Sequence, residues 1–397
     1  MAGLNETPRG TRLHIGLFGK RNSGKSSLIN ALTNQNISVV SDIAGTTTDP
    51  VYKSMEIHGI GPVVFIDTAG FDDEGELGIK RTQQTKNALE KTDVAVLVFS
   101  ESPNNSDRQW IRLLVEQNTP IIPVINKIDI IKDADDLQEE VKSVCKKEAV
   151  LVSAKTGEGI DKLRAALISS VPDDFGERTI TGGLCGDGDL VLLVMPQDIQ
   201  APKGRLILPQ VQTLRELLDK KCIVMSCTTD RLEQTLGALS APPKLIITDS
   251  QIFKTVYEKK PSQSRLTSFS TLFAKYKGDI DYFIESTSVF ESLNENSKIL
   301  IAEACSHVPL KEDIGREKLP RMLRARYGNG LRIDNVNGQN FPDDLSGYDL
   351  VIQCGACMFN RKYVMSRVDS AKTQNIPMSN YGVVIAYLSG ILDKIDY

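Results

Sequence analysis

Short apolar runs alternate along the chain with stretches whose apolar residues recur every three or four positions. The run Leu13–Phe18 ends in glycine and is followed by a helical pattern over Ser26–Leu32. Val63–Ile66, Val94–Phe99, Ile121–Ile125 and Ala149–Val152 are further strands, with helical segments between most of them. This alternation predicts a mostly parallel sheet with helices on both faces. Ile160–Val171 closes the unit, and the polar, glycine-containing stretch Pro172–Gly183 reads as a linker. A second unit repeats the pattern, with strands at Leu190–Val194, Ile223–Ser226 and Lys244–Thr248 and helices at Gln210–Lys220 and Arg231–Leu239. The polar stretch Tyr257–Arg265, which contains Pro261, marks the next boundary. A third unit has strands at Ile299–Ala302, Asp349–Ile352 and Ile376–Pro377. The expected fold class is α/β in three domains: a doubly wound sheet over 1–172 and two smaller α/β domains over 183–262 and 266–397.

Composition narrows the function classes. The 47 Lys and Arg against 51 Asp and Glu give a net charge of −4, unlike a broadly basic nucleic-acid binder. The longest apolar runs fall far short of the roughly 18 residues of a membrane helix. The N-terminal MAGLNETPRG shows no apolar secretory segment. A cytoplasmic protein with neither nucleic-acid nor membrane partner is expected. Seven cysteines, an odd number in a reducing compartment, argue against a disulfide framework. Cys145, Cys185, Cys222 and Cys227 stand in apolar or small-residue surroundings and read as inert thiols.

Gly19-Lys-Arg-Asn-Ser-Gly24-Lys25-Ser26 fits GxxxxGK[ST] between a strand and a helix, which makes the first domain a P-loop domain. Backbone N–H groups from Gly19 through Asn22, Ser23 and Gly24 to Ser27 can wrap phosphates at the helix N-terminus. Lys25 would reach the β- and γ-phosphates and the Ser26 hydroxyl would ligate Mg²⁺. Asp67-Thr-Ala-Gly70 follows the strand Val63–Ile66. Asp67 can hold Mg²⁺ through water, and the Gly70 N–H can meet the γ-phosphate. Asn126-Lys127-Ile-Asp129 follows Ile121–Ile125, and the Asp129 carboxylate can accept two bonds from guanine that adenine cannot supply. Ser153-Ala154-Lys155 follows Ala149–Val152, and the Ala154 N–H can meet the guanine carbonyl. Four such motifs in this order specify GTP.

These residues resemble the TrmE/Era group of GTPases over Leu13–Val171. Gly45-Thr-Thr-Thr-Asp49 is similar to that group's GTTRD switch motif, which makes Thr47 the Mg²⁺-ligating threonine, with Thr48 at the family's arginine position. Phe71 stands where many GTPases carry a water-orienting glutamine. The resemblance implies another route. Asn22 helps hold a K⁺ ion beside the phosphates, with carbonyls of Val40–Gly45, and the cation neutralises developing charge. A water-orienting acid is sought among Asp72, Asp73, Glu74 and Glu76. Lys25, Asn22, Thr47 and Gly70 are thus the expected catalytic set.

The third unit carries Cys305-Ser-His307 and Cys354-Gly-Ala-Cys357, each just after an apolar strand, where ligands bind in open α/β sheets. Two readings stay open from spacing: a closed Cys₃His zinc site, or an iron–sulfur cluster on three thiolates with one iron left for His307, water or another ligand. The whole arrangement resembles the FeFe-hydrogenase maturation GTPase family HydF. The resemblance rests on the domain order, the CxH…CxxC pair, and stretches at Ala201–Gln210, Lys277-Gly-Asp279 and Pro377-Met-Ser-Asn-Tyr-Gly382. It implies a 4Fe-4S cluster and a di-iron precursor delivered to apo-FeFe-hydrogenase. It also implies radical-SAM maturation enzymes as partners and a homodimer formed through the middle domain. The family pattern CxH…HCxxC has histidine where this chain has Gln353, which favours three cysteine ligands and an exchangeable fourth position. Arg316, Lys318, Arg321, Arg324 and Arg326 form either a positive pocket for the anionic precursor or a solvated helix face. The third unit carries 15 Lys and Arg against 16 Asp and Glu, so it has no basic excess for RNA. Two other readings are a ribosome- or tRNA-associated GTPase with a structural zinc domain, and a redox sensor whose cluster gates GTP hydrolysis.

Overall fold

The computed structural model describes residues 8–33, 51–68, 84–173, 175–197, 206–304, 314–338 and 340–397. It divides into two compact units, 1–177 and 178–397.

The first unit is built on six strands: β1 (Leu13–Phe18), β2 (Val51–Ile57), β3 (Gly61–Asp67), β4 (Val94–Phe99), β5 (Ile121–Ile125) and β6 (Val150–Leu151). They lie in the order β2-β3-β1-β4-β5-β6, all parallel except β2, which runs antiparallel to β3. β1, β4 and β5 are buried at every position, as strands covered on both faces must be. On one face Leu28, Ile29, Leu163 and Leu167 pack against Ile15, Val96 and Val124; on the other Trp110, Leu114 and Val141 cover Ala95, Leu97 and Ile125. Each such side chain removed from water stabilises the fold by about 1.5–3 kcal/mol.

The second unit holds two four-stranded parallel sheets. One has β7 (Leu190–Val194), β8 (Ile223–Cys227), β9 (Leu245–Thr248) and β10 (Arg265–Ser268), in the order β10-β9-β7-β8. The other has β11 (Lys298–Glu303), β12 (Arg332–Asn337), β13 (Leu350–Gln353) and β14 (Met378–Asn380), in the order β12-β11-β13-β14. A shared core joins them: Leu192, Ile246, Phe253 and Leu266 of the first pack with Ala386, Ile391 and Ile395 of the second.

The structure differs from the sequence reading at the boundary placed between 262 and 266. β10 pairs with β9, and the helix Phe269–Lys277 buries Phe269, Leu272 and Phe273 on the middle sheet. Residues 265–277 therefore complete the middle sheet. β14 lies at Met378–Asn380, two residues beyond the expected Ile376–Pro377, because Pro377 has no N–H to give a ladder. Gln210 is fully buried; its amide caps the helix Leu208–Asp219 through the Ile207 N–H and donates to Asp249 Oδ2 at 3.2 Å. Cys145, Cys185 and Cys222 are buried, and burial pushes the Cys145 thiol up to about 12 and Cys222 up to about 11. Among the described residues no helix is long and apolar enough to cross a membrane.

Candidate functional site

The phosphate loop joins β1 to the helix Lys25–Thr33, and its shape depends on residues that tolerate left-handed backbone. Gly24 has φ 91°, and a Cβ there would stand 2.2 Å from Asn126 Nδ2. Asn22 adopts φ 61°, a conformation its short amide tolerates better than most side chains. The Lys25 ammonium donates to the carbonyls of Gly19 at 2.8 Å and Lys20 at 2.9 Å, so it lies folded over the loop that phosphates would fill. Ser26 Oγ donates to Asp67 Oδ2 at 2.5 Å, which brings together the two side chains expected to serve Mg²⁺. The Thr68 hydroxyl bonds Leu17 O at 2.5 Å and ties the end of β3 to β1.

The residues expected to recognise the base meet this loop. Asn126 Nδ2 donates to Ser23 O at 2.9 Å, and its Oδ1 accepts from the Ala154 N–H at 3.0 Å. The Ala154 N–H expected at the guanine carbonyl is thus bonded to Asn126 here. Ser153 Oγ donates to Asp129 Oδ1 at 2.7 Å and orients that carboxylate. Gly24, Ser27, Asn126, Lys127, Asp129 and Lys155 line one cavity of about 780 Å³. Thr47, Gly70, Val40–Gly45, Phe71 and the four switch carboxylates lie outside the described residues.

The second candidate site is at the C-terminal ends of β11 and β13. The chain passes from β11 to β12 on one side, then returns to place β13 on the other. That reversal opens a crevice between β11 and β13, the place where ligands bind in such sheets. β13 runs directly into Cys354 there, and β11 ends at Glu303, with Ala304 the last described residue before Cys305 in the sequence. The Cys354 N–H bonds Ala302 O at 3.0 Å, and the Ala304 N–H donates to Cys354 Sγ at 3.1 Å. Cys354 and Cys357 are half-buried, and desolvation raises both thiols. The N–H groups of Ala304 and Ala356 act against this at Cys354, and Lys277 acts against it at Cys357. Ala356 between them sits at φ 45°, a left-handed strain. Asn360 then caps the helix Arg361–Thr373, accepting from the Tyr363 N–H at 3.4 Å.

Two buried basic residues stand here; sequence reasoning noted Lys277 only within the stretch Lys277-Gly-Asp279 and did not single out Arg367. Lys277 is 1% exposed, and burial draws its ammonium down to about 8, with Cys357 and Cys354 acting the other way. Arg367 is 3% exposed. Both belong to helices whose pattern is amphipathic, so nothing in their spacing sets them apart. Cys305 and His307 lie outside the described residues, within which no three of His, Cys, Asp or Glu converge.

Two family models cover most of the second unit. Residues 180–278 match the hydrogen maturase F dimerization domain and 281–395 the hydrogen maturase F tetramerization domain. The chain belongs to the hydrogen maturase F family. Residues 14–127 match the model described as 50S ribosome-binding GTPase, and the first unit is a GTPase domain. Curated relatives match this part of the chain. GTPase Der of Wolinella succinogenes is 40% identical over 188 residues, 45% of this chain and 39% of that protein. The tRNA modification GTPase MnmE of Chromobacterium violaceum is 38% identical over 164 residues, 40% of this chain and 35% of that protein. The chain thus spans less than two fifths of the length of these relatives. The solved structure of Era with MgGDPNP and nucleotides 1506–1542 of 16S ribosomal RNA is 20% identical over 57% of this chain and 97% of that one. Its TM-score of 0.36 is too low to carry an argument.

Gln353 is 1% exposed, and neither polar atom of its side chain has a hydrogen-bond partner among the described residues. A buried amide next to Cys354 with both polar atoms open fits a site completed by a group outside the described residues. The basic stretch divides: Arg316 Nη2 lies 3.4 Å from Glu303 Oε2, while Arg321, Arg324 and Arg326 are exposed on the helix Leu319–Tyr327. Arg326 stacks over Tyr327 and Tyr387 at 5.6 and 5.1 Å. The helix is a solvated face at those three positions.

Proposed function

We propose that this chain is a K⁺-assisted GTPase that carries a 4Fe-4S cluster, holds a di-iron precursor and delivers it to apo-FeFe-hydrogenase. Cys305, Cys354 and Cys357 are the cluster ligands, with an exchangeable fourth position open to His307, water or the precursor. The observation that supports this reading is the pair Cys354 and Cys357 at the C-terminal end of β13, beside the end of β11 that leads in sequence to Cys305, with an orphaned amide and two buried cations next to it. When bound, the cluster supplies an iron with an open position and a one-electron couple.

The nucleotide site works by positioning and charge. Lys25 turns from the carbonyls of Gly19 and Lys20 onto the phosphates, and Ser26 and Asp67 hold Mg²⁺ with Thr47. Asp129, oriented by Ser153, reads guanine. Asn22 holds K⁺ beside the phosphates, and the Gly70 N–H senses the γ-phosphate. GTP hydrolysis then releases the switch segments and times the exchange of partners, with the radical-SAM maturation enzymes on the loading side.

The homodimer reading rests on the dimerization-domain match and on β8. This edge strand leaves Ile223 60% and Met225 38% exposed, an apolar edge that a second copy would cover.

The test is anaerobic reconstitution with iron and sulfide, followed by analysis of iron, sulfide and zinc. About four iron and four sulfide per chain are expected, and their loss in a Cys305/Cys354/Cys357→Ala variant. One zinc per chain with no stable cluster would leave a GTPase with a structural metal domain instead.

A further inference from the structure

Lys277 ends the helix Phe269–Lys277, which covers the middle sheet, yet its side chain terminates inside the cysteine loop of the other sheet. Its Nζ donates to three carbonyls of that loop: Ala356 at 3.2 Å, Cys357 at 3.0 Å and Phe359 at 2.6 Å. Three acceptors around one nitrogen use every N–H of an ammonium; a neutral amine has one donor fewer. The strained Ala356 is among the residues gripped, and such a conformation persists only where its surroundings fix it. The anchor is itself clamped. Arg361 Nη1 donates to Gly278 O at 2.5 Å, and Lys372 Nζ lies 2.6 Å from Asp279 Oδ2.

Arg367 is the second buried cation. Its guanidinium lies between the rings of Phe341 at 4.7 Å and Tyr363 at 4.5 Å. Its Nη2 donates to Gly338 O at 2.6 Å and to the Tyr363 hydroxyl, and its Nε and Nη1 have no partner among the described residues. No carboxylate among the described residues pairs with Lys277 or Arg367. Two buried cations without counter-charge are costly unless an anion completes the site. Lys277 Nζ sits on the Cys357 carbonyl at 3.0 Å, and Arg367 bonds Tyr363, whose ring stacks on Phe359 of the same loop at 4.5 Å. Thiolates held on iron meet the requirement, and neutral thiols do not.

We propose that Lys277 is the positioning residue of the cysteine loop, and that Lys277 and Arg367 are fixed counter-charges favouring an anionic iron–sulfur cluster and its reduced form. The proposal rests on the cluster reading given above. Reduction adds one negative charge to the cluster, and a fixed cation in a low-dielectric site stabilises the more negative state. Lys277 also hands the loop a constraint from the helix that completes the middle sheet, so a shift of that helix is felt at the cysteines.

The full chain is reconstituted anaerobically as wild type, Lys277→Met, Lys277→Arg and Arg367→Met. Bound iron and sulfide are measured, then iron loss to a chelator, then the midpoint in a dithionite titration followed by EPR. Lys277→Met is expected to lose iron several-fold faster and to shift the midpoint to more negative potential. Arg367→Met is expected to shift the midpoint the same way with slower iron loss than Lys277→Met, and Lys277→Arg to restore the midpoint in part. A Lys277→Met protein that melts like wild type and keeps both its iron and its midpoint overturns the proposal. If that variant does not fold, an unchanged midpoint in Arg367→Met overturns the counter-charge role. A wild-type protein that takes up zinc and no iron overturns the cluster reading itself; a stable wild-type cluster with silent variants overturns this inference alone.

Discussion

Asp129 and Asn22 show how the nucleotide site divides its work between single residues. Asp129 is exposed at the cavity wall, and the hydroxyl of Ser153 fixes one of its oxygens at 2.7 Å. A carboxylate oriented before the base arrives pairs with guanine and is left unpaired by adenine. Asp129→Asn is expected to weaken GTP binding by about 10²-fold or more while leaving the low ATP affinity unchanged, measured by titration of both nucleotides. Equal GTP affinity would remove Asp129 from the base site. Asn22 keeps the loop in its left-handed turn with its side chain exposed. GTP turnover is expected to be faster in KCl than in NaCl, and Asn22→Ala to abolish the difference; equal rates in the two salts would sink the K⁺ role. These residues were legible because each motif fixes a backbone shape as well as a side chain. Gly24 cannot be replaced without a Cβ striking the Asn126 amide. Lys277, Arg367 and the buried Gln353 were not legible as a group. Their meaning comes from three-dimensional neighbours that the spacing along the chain does not encode.

Elements followed the same division. Strands covered on both faces, such as β1, β4, β7 and β11, are continuous apolar runs and stood out. Three edge strands, β2, β10 and β12, were missed. β12 reads Arg-Ile-Asp-Asn-Val-Asn and β2 is largely exposed, so neither shows an apolar run. β10 is four residues long and opens with Arg265, which pairs with Asp396. The short polar stretch before it concealed the true end of the middle sheet. The edge strand β8 is different, because its outward residues are apolar. Ile223→Lys is expected to shift the protein to a smaller assembly in light scattering, with its melting temperature little changed. A variant that retains the wild-type mass would place the dimer contact elsewhere. The crevice between β11 and β13 was half visible: both cysteine motifs follow strands, but that those strands are neighbours at a switch point emerges only from the sheet order.

Taken as a whole molecule, the chain joins a GTPase domain to a unit of two parallel sheets that share one core. Within that unit, the helix completing the middle sheet grips the cysteine loop of the other through Lys277. The middle sheet and the cysteine loop are thereby connected through packed structure. The role proposed for the GTPase domain is a nucleotide-dependent release. The central claim is that this framework exists to carry and hand over a metal precursor. It is tested most directly by adding the cluster- and precursor-loaded protein to apo-FeFe-hydrogenase and measuring hydrogen evolution. The account predicts activation by the wild-type protein and none by the Cys305/Cys354/Cys357→Ala variant prepared in the same way. Equal activation by both, or none by a wild-type protein shown to carry its cluster and precursor, would contradict it.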